Sequence, residues 1–333
     1  TLTLPFEVHE HPEAAYAREA ILQFLREYEL EDHPEQAEST YRMGRFIALF
    51  YPYGSDPERL ARAARGAVWT LIFDDNYIER FALNGMPEKA ARQVILCQMI
   101  TDDPYAPLLD SSPGLRAWQG ICQDFLENAG AHRYARMVDG FHAWGSAIGY
   151  EITHIARGLL PEPDTFLAYR ARSTAYYPWF FQFIDYVAGK EFPPTIWSRP
   201  EILRLNYLVG CICGGINDIL GMSSEPCPER SFSLPVVLAR QRGSLQEGID
   251  AAADIFHACV AEIQALAQRL LTEGDEDTSF IAAGALAMCA GHFHWHTKVS
   301  RRYLDGHRYA NTTYDDMAGK LSLLSQSLPS QAL

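Results

Sequence analysis

The sequence contains no cysteine pattern typical of a disulfide framework or a zinc site. The seven cysteines are an odd number, and no pair has the CxxC spacing. Cysteines without such a pattern usually serve as small apolar core residues. They fit a reducing compartment, so we expect a cytoplasmic protein. The first residues lack the basic region of a secretion signal, and no segment reaches about 18 uninterrupted apolar residues. We therefore expect neither a cleaved leader nor a membrane span.

Basic residues are also scarce. The chain has 28 lysines and arginines against 42 aspartates and glutamates, and its formal net charge is −14. Since an acidic surface repels phosphate backbones, no nucleic-acid partner is expected. The charge does not exclude a small anionic substrate, because metal ions can neutralise a local cluster of acids.

Runs of alternating apolar and polar residues, which would predict strands, are few and short, and long segments instead place apolar residues at helical spacing. Residues 56–83 are predicted to form one long helix, with Asp56 suited to the N-cap and Pro57 to the first turn. Another helical segment is expected to break at Pro178. No internal repeat, low-complexity block or linker is present, and several helices are apolar on nearly all sides. The sequence thus predicts a single all-α domain over residues 1–333, a helical bundle whose central helices enclose an apolar pocket.

The segment FDDNYIE carries three acids, Asp74, Asp75 and Glu79, in the last part of the long helix. Asp75 and Glu79 are four residues apart and share a helix face. The C-terminal end of a helix already carries a partial negative charge, so acids there lower stability unless a cation offsets them. The segment by itself is compatible with two interpretations, a solvated helix end and a metal-binding site.

A second oxygen-rich stripe lies in NDILGMSSE, on another long helix. Asn217, Gly221 and Glu225 are spaced four residues apart and are expected to lie on one face. The amide oxygen and the carboxylate are hard ligands of the kind that Mg²⁺ prefers. If this helix end faced the first acidic segment across a pocket, the two could hold several Mg²⁺ ions, which would bind a diphosphate as their remaining ligand.

Three further side chains can donate hydrogen bonds to such a diphosphate. Arg172 precedes the expected break at Pro178, and Arg302 and Tyr303 end the helix that contains Trp295. Donors of this type neutralise and bind a leaving diphosphate. Taken singly, each arginine is better explained as a surface residue paired with one of the many acids.

Together these pieces make the chain resemble a class I terpene synthase of the microbial single-domain type. FDDNYIE resembles the aspartate-rich motif of that family, Arg172 its diphosphate-sensing arginine, NDILGMSSE its second metal motif, and RRY at residues 301–303 its late Arg-Tyr pair. The pieces occur in the family's order. The resemblance covers about residues 10–310, which leaves a C-terminal tail at about residues 311–333. It implies the helical-bundle fold of the class I terpenoid synthases.

The resemblance also implies a ligand set. Three Mg²⁺ ions, for which Mn²⁺ would be a substitute, would be held by the side chains of Asp74, Asp75, Glu79, Asn217 and Glu225. In that family pattern Asp74 would bridge two ions, and Asn217 and Glu225 would chelate the third. The diphosphate would be bound by Arg172, Arg302 and Tyr303.

The implied activity is that of a carbon–oxygen lyase, which ionises an acyclic prenyl diphosphate and converts the carbocation to a terpene hydrocarbon or alcohol. Farnesyl diphosphate is favoured for a chain of this size, with geranyl and geranylgeranyl diphosphate left open. Aromatic faces would stabilise the cation by cation–π attraction, and small residues would leave room for it. The residues expected to line the pocket are Phe73, Tyr176, Tyr177, Phe181, Trp295 and Cys213.

Two positions depart from the family pattern. Gly221 stands where a Ser or Thr ligand is usual, so a water molecule would have to fill that coordination place. Ser224 stands where relatives often carry a diphosphate-binding lysine. Neither change removes a carboxylate, so an active enzyme is expected.

Two assignments have competitors close by in the sequence. Arg170 competes with Arg172, because the glycine that often follows the sensing arginine closely is absent here. Arg308–Tyr309 competes with Arg302–Tyr303, and the earlier pair is preferred for its spacing from the preceding motifs.

Two other functions and the oligomeric state stay open at this point. A chain-elongating prenyltransferase would carry two DDxxD-type motifs, whereas the second motif here is Asn-Asp…Glu. A non-catalytic helical prenyl-binding protein with decayed ligands is supported only by Gly221 and Ser224. A homodimer is compatible with the sequence.

Overall fold

The computed structural model of the protein describes residues 2–175, 180–222 and 232–304, and these ranges are all-α with no strand, as predicted. The α-helices in chain order are α1 (Ala14–Glu27), α2 (Pro34–Tyr41), α3 (Met43–Phe50), α4 (Pro57–Phe73), α5 (Arg80–Leu83), α6 (Pro87–Asp102), α7 (Pro113–Ala129), α8 (Ala131–Arg157), α9 (Pro163–Ser173), α10 (Ile184–Ala188), α11 (Pro200–Gly221), α12 (Leu234–Arg242), α13 (Leu245–Glu273), α14 (Glu276–His294) and α15 (Arg301–Leu304). Those ranges also contain two π-helical segments, Asp74–Glu79 and Trp295–Val299, and two 3₁₀ turns, Phe180–Phe183 and Pro194–Ser198. Within the same ranges, none of the helices combines the length and the apolar character that crossing a membrane would require.

The predicted helix at residues 56–83 is one continuous helical segment, although it is not α-helical throughout. Asp56 caps its start, where the carboxylate accepts a hydrogen bond from the Glu58 N–H. α4 passes directly into the π-helical segment Asp74–Glu79, which passes directly into α5. The three acids therefore lie inside the helical segment and not at its end.

A column of stacked aromatic rings anchors the end of α4. The Phe73 ring stacks on Trp69 with centroids 4.6 Å apart, and Trp69 stacks on Trp118 of α7 at 4.2 Å. Trp118 in turn stacks on Phe141 of α8 at 4.5 Å. The Trp69 indole also donates a hydrogen bond to the Gly114 carbonyl at 2.8 Å. Because these rings are buried and interlocked across three helices, they fix the position from which the acidic segment begins.

α11 packs against α9, α13 and α14. Its side chains Ile212, Cys213 and Ile216 are completely buried. Gly214 allows α9 to approach closely, since a Cβ at this position would lie 3.2 Å from Arg170 Cγ and from Thr174 Cγ2. Gly214 therefore serves the close packing of α9 on α11.

The break expected near Pro178 occurs just before the proline. α9 ends at Ser173, whose carbonyl accepts a hydrogen bond from the Trp144 indole at 3.0 Å. Ala175 has a φ of 62°, in the left-handed region that a helix cannot continue through. Residues 176–179 lie outside the described ranges, and the chain resumes in the 3₁₀ turn at Phe180.

The buried carboxyl group of Glu38 is expected to make stability depend on pH. It accepts the backbone N–H groups of Met43 and Gly44 at the start of α3, at 3.1 and 3.2 Å, yet burial raises its pKa to about 7. A carboxyl pKa raised by folding favours the native state below the unfolded pKa, and this contribution is lost as the pH rises through about 7. From pH 5 to pH 8, the free energy of unfolding of the wild type should fall by roughly 2 to 3 kcal/mol relative to Glu38→Gln, which cannot ionise.

Urea unfolding of both proteins at the two pH values measures this difference. Glu35→Gln is the matched control, because Glu35 is exposed on the same helix α2. A difference between wild type and Glu38→Gln that does not change with pH would contradict the prediction.

Candidate active site

The acidic segment Asp74–Glu79 is π-helical. The Arg80 N–H donates to the Asp75 carbonyl, five residues earlier, in place of the α-helical partner four residues earlier. Ile78 is the buried residue of the segment, and the three acids are each partly exposed. Single π-helical insertions inside α-helices are frequent at functional sites, because they change the direction in which neighbouring side chains point.

Asp74 lies among like charges. Burial raises its pKa well above the ordinary value, and the carboxylates of Glu151, Asp75 and Glu79 raise it further, while Arg170 opposes them. The sequence did not single out Glu151, which comes from α8 and accepts a hydrogen bond from the Tyr169 hydroxyl. A divalent cation at this place would remove the mutual repulsion, so the donor set suits a hard metal ion.

Arg302 reaches the acidic segment from the far end of the chain. Its Nη1 donates to Asp75 Oδ2 at 3.1 Å, and the side chain is almost fully buried. The guanidinium also lies near the rings of Tyr41 and Tyr303, at 5.5 and 5.7 Å from their centroids. The structure therefore brings together Arg302 and Asp75, two of the predicted site residues. The competing pair Arg308–Tyr309 lies outside the described residues.

Tyr303 contacts the second oxygen-rich stripe. Asn217 Nδ2 donates a hydrogen bond to the Tyr303 hydroxyl oxygen at 3.1 Å. The neighbouring residues Arg302 and Tyr303 thus connect the two predicted metal motifs, one contacting Asp75 and the other Asn217. That the two motifs face each other across a pocket stays a prediction, and the late Arg-Tyr pair is a described link between them.

Arg170, the competitor of Arg172, contacts the second motif through Asn217 and Asp218. Its Nη2 donates to Asn217 Oδ1 at 2.8 Å, and its Nε donates to Asp218 Oδ1 at 2.8 Å. The hydrogen bond described for Arg172 instead goes to the Ala168 carbonyl, one turn back on its own helix. Since residues two apart on an α-helix point about 200° apart, both arginines cannot face α11. This geometry favours Arg170 over the predicted Arg172 for the role of the diphosphate-binding arginine beside Asn217.

Asp218 holds Arg170 in place. The aspartate is buried, forms an ion pair with Arg170 at 2.6 Å, and also accepts the Leu234 N–H at 3.1 Å. Burial raises the pKa of Asp218, and Arg170 opposes that rise. Ser173 Oγ accepts a further hydrogen bond from Arg170 at 3.1 Å. The sequence signal for this role was the acid next to Asn217, but only the packing of α9 on α11 reveals the partner.

The predicted pocket residues are buried, but their rings are partly used for packing. Phe73 has Trp69 on one face and Tyr77 on the other, at 4.6 and 5.3 Å, so neither face is placed to meet a substrate. Trp295 is buried, and its indole donates to the Tyr41 carbonyl at 2.7 Å while its ring lies against Tyr303. Two others, Phe181 and Cys213, are fully buried. Three predicted site residues lie outside the described ranges: Tyr176, Tyr177 and Glu225. Ser224, where relatives often carry a lysine, lies outside them as well.

No group of three histidine, cysteine or carboxylate side chains in the described ranges converges closely enough to hold a metal ion by itself. Asp74, Asp75 and Glu79 therefore do not form such a group by themselves; the predicted set also includes the amide of Asn217 and Glu225, which lies outside those ranges. One groove, lined in part by Arg62 and Asp124, opens between α1, α4 and α7, on the part of α4 that precedes the acids. It is not the predicted apolar pocket, which stays a prediction.

Comparison with known proteins identifies the family. Residues 67–262 match the family model for terpene synthase family 2, C-terminal metal binding, which is more than half of the chain. Spiroviolene synthase from Streptomyces violens is 23% identical over 259 residues, which are 77% of this chain and 71% of that protein. 2-Methylisoborneol synthase from Streptomyces lasalocidi is 26% identical over 301 residues, 83% of this chain but only 60% of that protein.

Solved structures show the same fold. 2-Methylisoborneol synthase from Streptomyces coelicolor A3(2), in complex with Mg²⁺ and 2-fluoroneryl diphosphate, superposes with a TM-score of 0.81 at 21% identity, covering 91% of this chain and 96% of that one. Linalool/nerolidol synthase from Streptomyces clavuligerus superposes with a TM-score of 0.75 at 17% identity, covering 89% of this chain and 99% of that one.

Proposed function

Since the chain belongs to the terpene synthase family, with the all-α fold of its class I members, we propose that it is a Mg²⁺-dependent terpene synthase. Its substrate is an acyclic prenyl diphosphate, with farnesyl diphosphate favoured, and its products are diphosphate and a terpene hydrocarbon or alcohol. The observation that carries the proposal is the late Arg-Tyr pair, in which Arg302 contacts Asp75 and Tyr303 contacts Asn217. One short segment of chain thereby joins both acidic motifs to two hydrogen-bond donors.

Three of the residues that would hold the ions are neighbouring carboxylates, and Asp75 and Glu79 both raise the pKa of Asp74 when no cation is near. Asp74, Asp75 and Glu79 offer carboxylates from the π-helical segment, and Asn217 and Glu225 offer an amide oxygen and a carboxylate from the second motif. When bound, Mg²⁺ supplies positive charge that stabilises the departing diphosphate. The match to a metal-binding domain supports this assignment.

Three donors would bind the diphosphate: Arg170, Arg302 and Tyr303. Arg170 takes the place of the predicted Arg172 in this proposal, because the Arg170 guanidinium lies beside Asn217. As the carbon–oxygen bond of the substrate breaks, its electron pair leaves with the diphosphate oxygen, and an allylic carbocation remains. Donors already aimed at the developing negative charge stabilise it without reorganisation.

The carbocation then needs a dry, non-nucleophilic wall. α11, which carries the second motif, and α14, which packs against it, supply many buried apolar side chains, among them Cys213 and Met288. Such a wall keeps water from the cation until a proton is lost or one water molecule adds. The bound 2-fluoroneryl diphosphate of the S. coelicolor 2-methylisoborneol synthase supports a prenyl diphosphate as the substrate class.

Incubation of the purified protein with Mg²⁺ and with C10, C15 or C20 prenyl diphosphate tests the proposal. We expect diphosphate release and a volatile product with at least one substrate, farnesyl diphosphate first, and loss of both signals when EDTA removes the metal. Gas chromatography with mass spectrometry identifies the product.

The same incubations with added isopentenyl diphosphate separate cyclisation from chain elongation. A longer prenyl diphosphate formed only with that addition would contradict the proposal, and so would the absence of product and diphosphate release with all three substrates.

A further inference from the structure

His296 carries a buried nitrogen atom that has no hydrogen-bond partner among the described residues. The side chain is only 2% exposed, and this atom is Nε2. The other ring nitrogen, Nδ1, lies 3.1 Å from the His292 carbonyl oxygen. Buried polar atoms in folded proteins are nearly always paired, and a catalytic role is one of the reasons for an exception.

The surroundings of the His296 ring fix its protonation state. Burial, and then the charge of Arg302, lower its pKa to about 3, against the opposing effect of the hydrogen bond to His292. The ring is therefore neutral at pH 7 and carries one N–H. Since a carbonyl oxygen can only accept, that proton is on Nδ1, and Nε2 carries a lone pair.

His296 lies beside a residue assigned to the diphosphate. Its ring stacks on the Tyr303 ring with centroids 4.0 Å apart and an interplanar angle of 29°. Tyr303 in turn accepts a hydrogen bond from Asn217 of the second motif. The π-helical segment that contains His296 also packs against α11, the helix on which Asn217 lies. The unpaired nitrogen thus belongs to a ring that contacts the proposed site.

The orientation of the imidazole is held from several sides. The Trp295 ring meets it edge-on at 4.9 Å between centroids, and the His292 ring does so at 4.2 Å. Together with the Tyr303 stack and the Nδ1 hydrogen bond, these contacts hold the ring in one position. A lone pair held in this way acts on one region of a bound molecule and not on others.

A lone pair at this place is unsuited to the diphosphate itself. Diphosphate oxygens are acceptors, so they need donors such as Arg302 and Tyr303 and are repelled by a further acceptor. A carbocation is the opposite kind of partner. Its positive charge attracts the lone pair, and the hydrogens on the carbons next to the cationic centre are strongly acidic. Even an imidazole whose pKa is lowered to about 3 is a sufficient base for them.

We propose that His296 is the catalytic base that ends the reaction, with Nε2 removing a proton from a carbon next to the cationic centre of the terpene carbocation. The C–H bond breaks, its electron pair forms a carbon–carbon double bond, and the proton binds Nε2. The diphosphate bound by Tyr303 stabilises the imidazolium and accepts the proton afterwards. The wild-type product is accordingly a hydrocarbon. The proposal rests on the proposed function above and specifies how its reaction ends.

Product analysis of His296→Phe tests this role, because phenylalanine keeps a ring against Tyr303 and removes both nitrogen atoms. The variant and the wild type are incubated with Mg²⁺ and the prenyl diphosphate that the wild type converts. Formation of the wild-type hydrocarbon, measured by gas chromatography, should fall by about 10²-fold, the usual contribution of a positioned base. Diphosphate release should fall by less than about tenfold, because ionisation precedes the proton transfer. The remaining cation should appear as alcohols or other hydrocarbons.

Chemical rescue separates the basic nitrogen from the shape of the side chain. His296→Ala removes the ring, and added imidazole supplies the missing nitrogen, whereas pyrrole has the same ring size without a basic nitrogen. Imidazole should raise the formation of the wild-type hydrocarbon by His296→Ala at least about tenfold, and pyrrole should not.

His294→Phe is the matched control, because His294 is partly exposed at the end of α14, near Arg45 and Glu10. Its product and its rate should match those of the wild type. Thermal unfolding confirms that each variant is folded. If His296→Ala does not fold, the difference between diphosphate release and hydrocarbon formation in His296→Phe decides.

Three results would overturn the proposal. The first is a His296→Phe variant that forms the wild-type product at the wild-type rate. The second is diphosphate release that falls as far as hydrocarbon formation, which would confine His296 to the fold or to diphosphate binding. The third is an equal effect of imidazole and pyrrole on folded His296→Ala, including no effect of either.

The wild type separates this inference from the proposed function. If it releases diphosphate but forms an alcohol as its sole product, the proposed function stands and His296 is not the base. If it releases no diphosphate with any of the three substrates, the proposed function fails and this inference fails with it.

Discussion

Asp74→Asn is expected to lower kcat by at least about 10³-fold, because a metal ligand at a developing charge contributes several kcal/mol to transition-state stabilisation. The amide keeps the size of the side chain but removes the negative charge that burial, Glu151, Asp75 and Glu79 make costly in the absence of a cation. Although Asp74→Asn loses turnover, its folded state should therefore be at least as stable as that of the wild type. Steady-state turnover and urea unfolding measure the two effects.

Asp139→Asn is the control, since Asp139 is exposed on α8, the helix that also carries Glu151. Its turnover should match that of the wild type. A turnover of Asp74→Asn within tenfold of the wild type would contradict the assignment of Asp74 as a metal ligand.

The pH dependence of metal binding follows from the same residue. Because the pKa of Asp74 is raised well above its ordinary value, a proton competes with the metal at pH values where an isolated aspartate is fully ionised. Mn²⁺ affinity of the wild type should therefore increase with pH in this range, whereas residual Mn²⁺ binding by Asp74→Asn should depend on pH less steeply. Equal slopes for the two proteins would contradict this expectation.

Arg170→Gln is expected to lower kcat/KM by about 10²- to 10³-fold, the usual effect of removing one donor from a developing oxyanion. Arg172→Gln should cost at least tenfold less, because a side chain two residues further along α9 points about 200° away from the direction of Arg170, which faces α11. The comparison decides between two arginines that the sequence could not separate. An Arg172→Gln effect equal to or larger than that of Arg170→Gln would return the assignment to Arg172.

The stability of Arg170→Gln needs its own control, since the change leaves the Asp218 carboxylate buried without its ion-pair partner. Such a loss destabilises a protein by about 3 to 5 kcal/mol. The double variant Arg170→Gln/Asp218→Asn removes both charges and should recover much of the stability but none of the activity. Recovery of activity together with stability would show that Arg170 acts only through the fold.

The arrangement of the site explains why its parts are so far apart in the sequence. The first motif follows an aromatic column that anchors α4 to α7 and α8, and the second motif ends the buried helix α11. Arg302 and Tyr303 then reach one motif each. Both residues belong to the short helix α15, which begins at Arg301 after the extended residue Ser300.

The sequence by itself determined the fold class and most of the helical segments. Apolar residues at helical spacing, with Asp56 and Pro57 at the start, predicted the helical segment at residues 56–83 that the structure contains. It also determined which side chains could bind a cation or a diphosphate, since the acids, the amide, the arginines and the tyrosine are visible in the segments FDDNYIE, NDILGMSSE and RRY. These properties are local: they depend on the spacing of residues along one helix and on the chemistry of single side chains.

Only the tertiary structure decided which of those side chains meet. Helical spacing shows that Arg170 and Arg172 point in different directions, but the packing of α9 on α11 selects the one that contacts Asn217. The proximity of Glu151 to Asp74 and of Tyr303 to Gly221 brings together residues that are separated by 77 positions or more. The physical reason is that such contacts follow from how buried helices fit against one another, and the pattern of residues within any one helix does not contain that information.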